Sequence, residues 1–167
     1  AGHLGSAISS CLSEFGATVI LLGRTETTLK NLANKHQSFH ENGCEYLICD
    51  VTKDEEFRKI FEYVTSKYGK VDILVNNAYG KQDLELNKIT SELWNDGIEK
   101  TLTHYFTCIN EVGRYLLEAG NGSIINIASI YGFLGTDQRV YSPLNKITPP
   151  YYSVAKGGIL QLTRYFA

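Results

Sequence analysis

The 167-residue sequence has no methionine, a single tryptophan and three prolines. Without Met it carries no initiator, and it opens on Ala1-Gly2-His3-Leu4-Gly5, inside what reads as a motif; a preceding targeting segment stays open. Long hydrophobic runs are missing too. No stretch approaches the ~18 apolar residues that a membrane span needs, so a membrane partner is not expected. Charge of one sign is also lacking, with Lys and Arg totalling 16 against 18 Asp and Glu. No basic run is long enough to track a phosphate backbone, which argues against nucleic acid and acidic membranes as partners. The four cysteines (Cys11, Cys44, Cys49 and Cys108) form no CxxC pair and no metal-ligand spacing. They are expected to be reduced, buried thiols of a cytoplasmic protein. His3, His36, His40 and His104 are scattered, and no metal site is expected from them.

What is present suits a globular enzyme-sized domain: 43% of residues are hydrophobic, enough for a core. Leu4, Ile8, Leu12 and Phe15 recur at helical spacing, and Gly16-Ala17 ends that helix. Thr18 to Leu22 is a short apolar strand. Thr25 can cap a helix whose apolar face is Leu29, Leu32 and Ala33. After a break at Gly43, Cys44 to Cys49 is a second strand ending at Asp50. Thr52 is expected to cap a third helix carrying Phe57, Ile60, Phe61 and Val64. Val71 to Val75 is a third strand, followed by Asn76-Asn77-Ala78-Tyr79-Gly80. One long helix is expected from about Ser91 to Glu118, with Trp94, Ile98, Leu102, Tyr105, Ile109, Val112 and Leu116 in phase. Gly120-Asn121-Gly122 turns the chain into a strand from Ser123 to Ala128, with Ser129 at its carboxyl end. All three prolines fall in the loop before the last helix.

Apolar strands alternating with helices predict an α/β fold with a parallel sheet covered on both faces. Ligands of such sheets bind outside the carboxyl ends of the strands, where Asp50, Asn76 to Ala78 and Ser129 all fall.

At the start of the last helix Tyr152 and Lys156 stand at i and i+4, on one face. A lysine ammonium one turn from a phenol favours the phenolate and so suits proton transfer. Spacing alone proves little, since roughly 0.7 such pairs are expected by chance. The sequence holds a second pair, Tyr63 and Lys67, placed on the solvent side of its helix.

Together, Ala1 to Gly5, Asp50-Val51, Asn76-Asn77-Ala78, the strand before Ser129 and Tyr152-x-x-x-Lys156 resemble the short-chain dehydrogenase/reductase family over essentially the whole chain. The resemblance implies a doubly wound, Rossmann-like parallel sheet in a single dinucleotide-binding and catalytic domain. It also implies that residues 1–167 are truncated at both ends, lacking the first, central strand, the first glycine of the fingerprint and the last strands. By themselves they are expected to be unstable and inactive. Leu4 and Gly5 would sit at the cofactor pyrophosphate, at a helix N-terminus. Asp50 and Val51 would lie at the adenine, and Asn76 and Ala78 along the adenosine side. Arg24, about 20 residues beyond the Gly-rich turn, with no acid until Glu26, favours NADP(H) over NAD(H). Tyr152 would be the proton donor or acceptor. Lys156 would assist it and hold the nicotinamide ribose, and Ser129 would bind the substrate oxygen.

The sequence departs from the family's pattern in four places. His3 stands at the usual middle glycine, and Tyr79 at another usual glycine. Thr101 stands two turns after Trp94, where an Asn usually holds a proton-relay water. Residues Gly135 to Pro150 lengthen the path from Ser129 to Tyr152, suggesting a substrate-shaping or subunit-contact loop. The expected function is hydride transfer on a hydroxyl/carbonyl pair of a small, polar substrate. The loop also resembles members linked to sugar or flagellin-glycan modification. The rival reading is a nucleotide-sensing or scaffold protein on the same fold. The family commonly pairs subunits, so a homodimer or homotetramer is implied by resemblance.

Overall fold

Short β-branched runs become parallel strands in both halves of the chain. The computed structural model describes residues 2–36, 43–80, 89–141 and 148–167. Ala1, His40 and the middle of the 135–150 segment lie outside the described residues. The chain divides into two units, residues 1–70 and 71–167.

In the first unit α1 (His3–Glu14), β1 (Val19–Gly23), α2 (Glu26–His36), β2 (Cys44–Ile48) and α3 (Asp54–Tyr68) follow in order. β1 and β2 pair in parallel, from Val19 opposite Cys44 to Gly23 opposite Ile48. Their core joins Val19, Leu21 and Cys44 to Leu29, Leu32 and Ala33, the face expected of α2. Each such large apolar side chain stabilises by about 1.5–3 kcal/mol when fully buried.

Two expectations fail in this unit. The apolar stripe of α1 is buried only in its middle: Leu12 packs on the core and Ile8 is half-buried, beside buried Ser9 and Ser13, whereas Leu4 is 62% and Phe15 86% exposed. The packed side of α1 thus mixes Leu12 with small, hydroxylated residues. Ser9 Oγ donates to Ser6 O at 3.0 Å, and Ser10 Oγ lies 2.9 Å from His36 Nε2 on α2. Nor does Thr52 cap α3; Lys53 occupies that position without a side-chain bond. Thr52 instead gives its amide and hydroxyl to the Asp50 carboxylate at 3.1 and 2.8 Å. The acids Asp54, Glu55 and Glu56 in the first turn complement the helix dipole in place of a cap.

Tyr63 and Lys67 lie on the exposed side of α3, as expected, and serve a structural end. Glu45 on β2 accepts from Tyr63 Oη at 2.9 Å, from Lys67 Nζ at 3.0 Å and from Tyr68 Oη at 2.7 Å. One carboxylate thus ties α3 to the strand.

In the second unit β3 (Ile73–Asn76) and β4 (Ser123–Asn126) pair in parallel, Ile73 opposite Ser123 and Asn76 opposite Asn126. α4 (Ser91–Ile98), α5 (His104–Ala119) and α6 (Pro150–Phe166) complete it. Thr90 caps α4, its hydroxyl accepting from Leu93 N at 3.3 Å. The single long helix of the sequence reading is two helices joined by a π-turn, Glu99–Thr103. The apolar periodicity runs on through the turn, so pattern alone does not register it. β4 ends at Asn126, short of Ala128, and Ser129 starts a short 3₁₀ turn, Ile130–Gly132.

The described strands thus form two parallel pairs joined by helices. Cys44, Cys49 and Cys108 are buried thiols, but Cys11 is exposed, against expectation. Among the described residues, no helix is long and apolar enough to cross a membrane.

Candidate active site

α6 begins with Pro150 at its first turn, where a missing N–H costs nothing. Tyr151 points inward and is fully buried. It lies over Gly97 of α4, where an added Cβ would come within 2.5 Å of the ring. The next residue, Tyr152, is half-buried, and its hydroxyl makes no hydrogen bond among the described residues.

One turn on, Lys156 is only 3% exposed. Its Nζ donates to Ile127 O at 2.6 Å. The ammonium stands 5.3 Å from the Tyr105 ring centroid and 5.9 Å from that of Tyr152. Burial pulls its pKa down from 10.5 to about 8. Tyr105 Oη donates to the same Ile127 oxygen at 3.2 Å. Its phenol is pushed up by burial and is a neutral donor throughout the working pH range.

Ile127 is two residues before Ser129, so the carbonyl that fixes Lys156 also fixes the strand end carrying Ser129. Ser129 Oγ accepts from Tyr131 N at 3.2 Å, closing the 3₁₀ turn. Gly132, at the end of that turn, lies against the α6 backbone: a Cβ there would be 2.8 Å from both C and O of Lys156. Ser129, Tyr152 and Lys156 therefore belong to one packed constellation, although no hydrogen bond links Ser129 to Tyr152.

Asn76 and Ala78 have structural partners. Asn76 is buried, and its Nδ2 donates to Asn126 Oδ1 at 2.9 Å. Asn126 in turn donates to Thr163 Oγ1 on α6 at 3.0 Å. The side chain of Asn76 thus locks the two strands to α6, and its carbonyl accepts from Ile127 N at 2.9 Å. Ala78 O lies 3.2 Å from His104 Nε2, a hydrogen bond in the Nε2–H tautomer. Thr101 sits fully buried in the π-turn with its hydroxyl unpartnered. Such turns recur at functional positions.

The first unit places Arg24 and Asp50 at neighbouring strand ends, since Cys49 N donates to Gly23 O at 2.9 Å just beyond the β1–β2 ladder. Burial raises the Asp50 carboxyl, but the two Thr52 hydrogen bonds, with Arg24 and Lys53 nearby, outweigh it and hold the group below its usual range. Arg24 is exposed and Val51 half-buried. Gly5 is half-buried in the first turn of α1, beside exposed Leu4.

Sequence reasoning missed Ile127, Tyr105, Asn126 and His104. Ile127 acts through its carbonyl, which no side-chain pattern reveals. The other three pair with residues far away in sequence. The only available signal was a polar residue in an otherwise apolar strand or helix face, as with Asn126.

Comparison with known proteins gives a consistent answer. A family model described as short chain dehydrogenase matches residues 1–167. The chain is 28% identical over 167 residues to a 3-oxoacyl-(acyl-carrier-protein) reductase of Thermotoga maritima, covering 100% of this chain and 63% of that relative. It is 30% identical over 164 residues to the Vibrio cholerae reductase of the same name, covering 98% and 62%. Among solved structures, a short chain dehydrogenase from Bacillus anthracis superposes with a TM-score of 0.84 at 26% identity, over 98% of this chain and 64% of that one. An actinorhodin polyketide ketoreductase solved with NADPH gives 0.83 at 29% identity, over 97% and 59%. The α/β fold is therefore Rossmann-like, and the chain spans under two thirds of the length of these relatives.

Proposed function

Because this chain belongs to the short-chain dehydrogenase family, we propose that the protein containing it is an oxidoreductase. It moves a hydride between a nicotinamide cofactor, NADP(H) in preference to NAD(H), and the hydroxyl/carbonyl group of a small-molecule substrate. The observation that carries this reading is the buried Lys156 beside Tyr152, fixed by the Ile127 carbonyl at 2.6 Å.

Taken unit by unit, the residues present are of the kinds that bind a dinucleotide. α1 opens at Gly2 with no side-chain cap and no acid in its first turn, so its amides near Leu4 and Gly5 are available to a pyrophosphate. Exposed Arg24, close enough to Asp50 to lower its carboxyl pKa, offers a cation to a 2′-phosphate. By resemblance to the family, Asp50 and Val51 would serve the adenine, and Asn76 and Ala78 the adenosine side. When bound, the cofactor supplies or accepts the hydride.

The protein's own part is a proton transfer. In the reducing direction Tyr152 Oη gives its proton to the carbonyl oxygen. The Lys156 ammonium favours the negative charge left on Oη. Ser129 Oγ accepts from Tyr131 N, so its own hydroxyl proton is available to donate to the same substrate oxygen.

Substrate class, assembly and place are parts of the same proposal. Thr136, Asp137 and Arg139 favour a small, sugar-like substrate, whereas exposed Ile130, Phe133, Leu134 and Val140 in the same segment favour an apolar one. The names of the relatives favour a 3-oxoacyl thioester. Residues 1–167 would form one dinucleotide-binding and catalytic domain of a cytoplasmic homodimer or homotetramer.

The test mixes the full-length protein with NADPH or NADH and a panel of keto-sugars and 3-oxoacyl thioesters, following nicotinamide absorbance. Turnover abolished by Tyr152→Phe is expected. Cofactor binding without turnover of any substrate would favour the nucleotide-sensing alternative.

A further inference from the structure

Tyr79 takes no part in the chemistry described above, yet it is the residue whose ring touches Tyr152. Its backbone is held on both sides. Ala78 O meets His104 Nε2 at 3.2 Å, and Gly80 N donates to Lys100 O at 3.3 Å. Gly80 also fits tightly against Lys100: a Cβ there would lie 2.6 Å from the Lys100 Cβ. Lys100 is in turn tied to Asp96 at 2.7 Å. A loop residue pinned at both neighbours presents its side chain in a set direction.

That side chain is an aromatic ring meeting Tyr152 edge-on, with centroids 5.2 Å apart and planes at 71°. Edge-to-face is a preferred arrangement for aromatic pairs. Burial raises the pKa of the Tyr151 phenol, and the nearby Tyr79 hydroxyl pulls it the other way. The Tyr152 hydroxyl has no hydrogen-bond partner among the described residues. Its ring meets the Tyr79 ring, and the Lys156 ammonium stands 5.9 Å from its centroid. Tyr79 itself stays 39% exposed, so it is not simply core.

We propose that Tyr79 is a positioning residue for Tyr152: its ring, carried on a loop clamped at Ala78 and Gly80, fixes the orientation in which the Tyr152 hydroxyl is presented. The proposal rests on the reading of Tyr152 as the proton donor. The contact with Tyr152 is one of ring against ring, so Tyr79→Phe keeps it.

The test incorporates fluorotyrosine at position 152 of the full-length protein and compares wild type, Tyr79→Phe, Tyr79→Leu and Tyr79→Ala. Fluorine NMR is expected to give the same narrow line for wild type and Tyr79→Phe. A shifted, broadened line is expected for Tyr79→Leu and Tyr79→Ala. In the unlabelled proteins kcat should fall roughly 3- to 10-fold in Tyr79→Ala, the size of one aromatic pair. KM for NADPH should hold, and Tyr79→Phe should restore kcat. Tyr79→Leu keeps apolar bulk without a ring and covers the case in which the alanine variant fails to fold. Unchanged fluorine spectra in Tyr79→Leu and Tyr79→Ala overturn the proposal, and so does Tyr79→Phe behaving like Tyr79→Ala. If the wild type turns over no carbonyl substrate, the catalytic reading fails separately and the fluorine spectra still decide the ring contact.

Discussion

Lys156 gives its hydrogen bond to the Ile127 carbonyl, at 2.6 Å, and not to the hydroxyl of Tyr152 one turn away. The ammonium is anchored in the strand end and stands 5.9 Å from the Tyr152 ring centroid.

The anchoring has a pH signature. Lys156 has a folded pKa of about 8 against 10.5 ordinarily, so between those values the unfolded chain binds more protons than the native one. Stability must then rise with pH through that window. Relative to Lys156→Met, the wild type should gain about 1 kcal/mol between pH 7.5 and 9 in urea unfolding of the full-length protein. Parallel stability curves for the two proteins would show that the amine is not held in a desolvated state.

Gly97→Ala tests the seat of Tyr151. The new methyl would come within 2.5 Å of a ring that is fully buried and has nowhere to go. A loss of about 1–3 kcal/mol is expected from such overpacking. Pairing it with Tyr151→Leu should recover part of the loss, measured as a double-mutant cycle.

Arg24→Ala addresses cofactor choice. Loss of a charge-assisted contact to a 2′-phosphate should weaken NADPH binding roughly 10-fold or more, while NADH binding changes little. Equilibrium titration with both cofactors measures it. Equal effects on the two would place Arg24 away from the phosphate.

Glu45→Gln should blunt acid sensitivity. Burial raises the Glu45 carboxyl, but hydrogen bonds from Tyr68, Lys67 and Tyr63 outweigh it and hold the group below its ordinary pKa. Its contribution is present above the unfolded value and is lost as pH falls through the folded one. The glutamine variant should start less stable at neutrality and lose less on acidification. Thermal midpoints from pH 7 down to about 3 would reveal a variant that loses as much as the wild type.

Strands were legible because β-branched runs such as Val19 to Leu22 and Ile73 to Val75 have one obvious use. The face of α2 was legible for the same kind of reason, since Leu29, Leu32 and Ala33 recur at the helical period and nothing competes with them. α1 misled at its ends, where Leu4 and Phe15 are exposed, while Ser9 and Ser13 are buried beside Leu12. Thr52 misled because a capping residue and an Asx-type partner look alike in sequence, and Asp50 two residues earlier claimed its hydroxyl. In the candidate site the residue types at Ser129, Tyr152 and Lys156 could be read directly. Their fixation by Ile127, Tyr105 and Gly132 could not, because it depends on carbonyl direction and on how closely two backbones approach.

The π-turn at Glu99–Thr103 makes α4 and α5 two rods with separate angular settings. Gly97 on the first must face Tyr151, while Tyr105, Ile109, Val112 and Leu116 on the second are buried on their own face. Deleting one residue between them would turn one set against the other by roughly 100°. This stretch should therefore tolerate changes of residue identity better than changes of length. A length change here would misalign the Ala78 and Gly80 anchors together with the seat of Tyr151, even if every side chain of the site were kept.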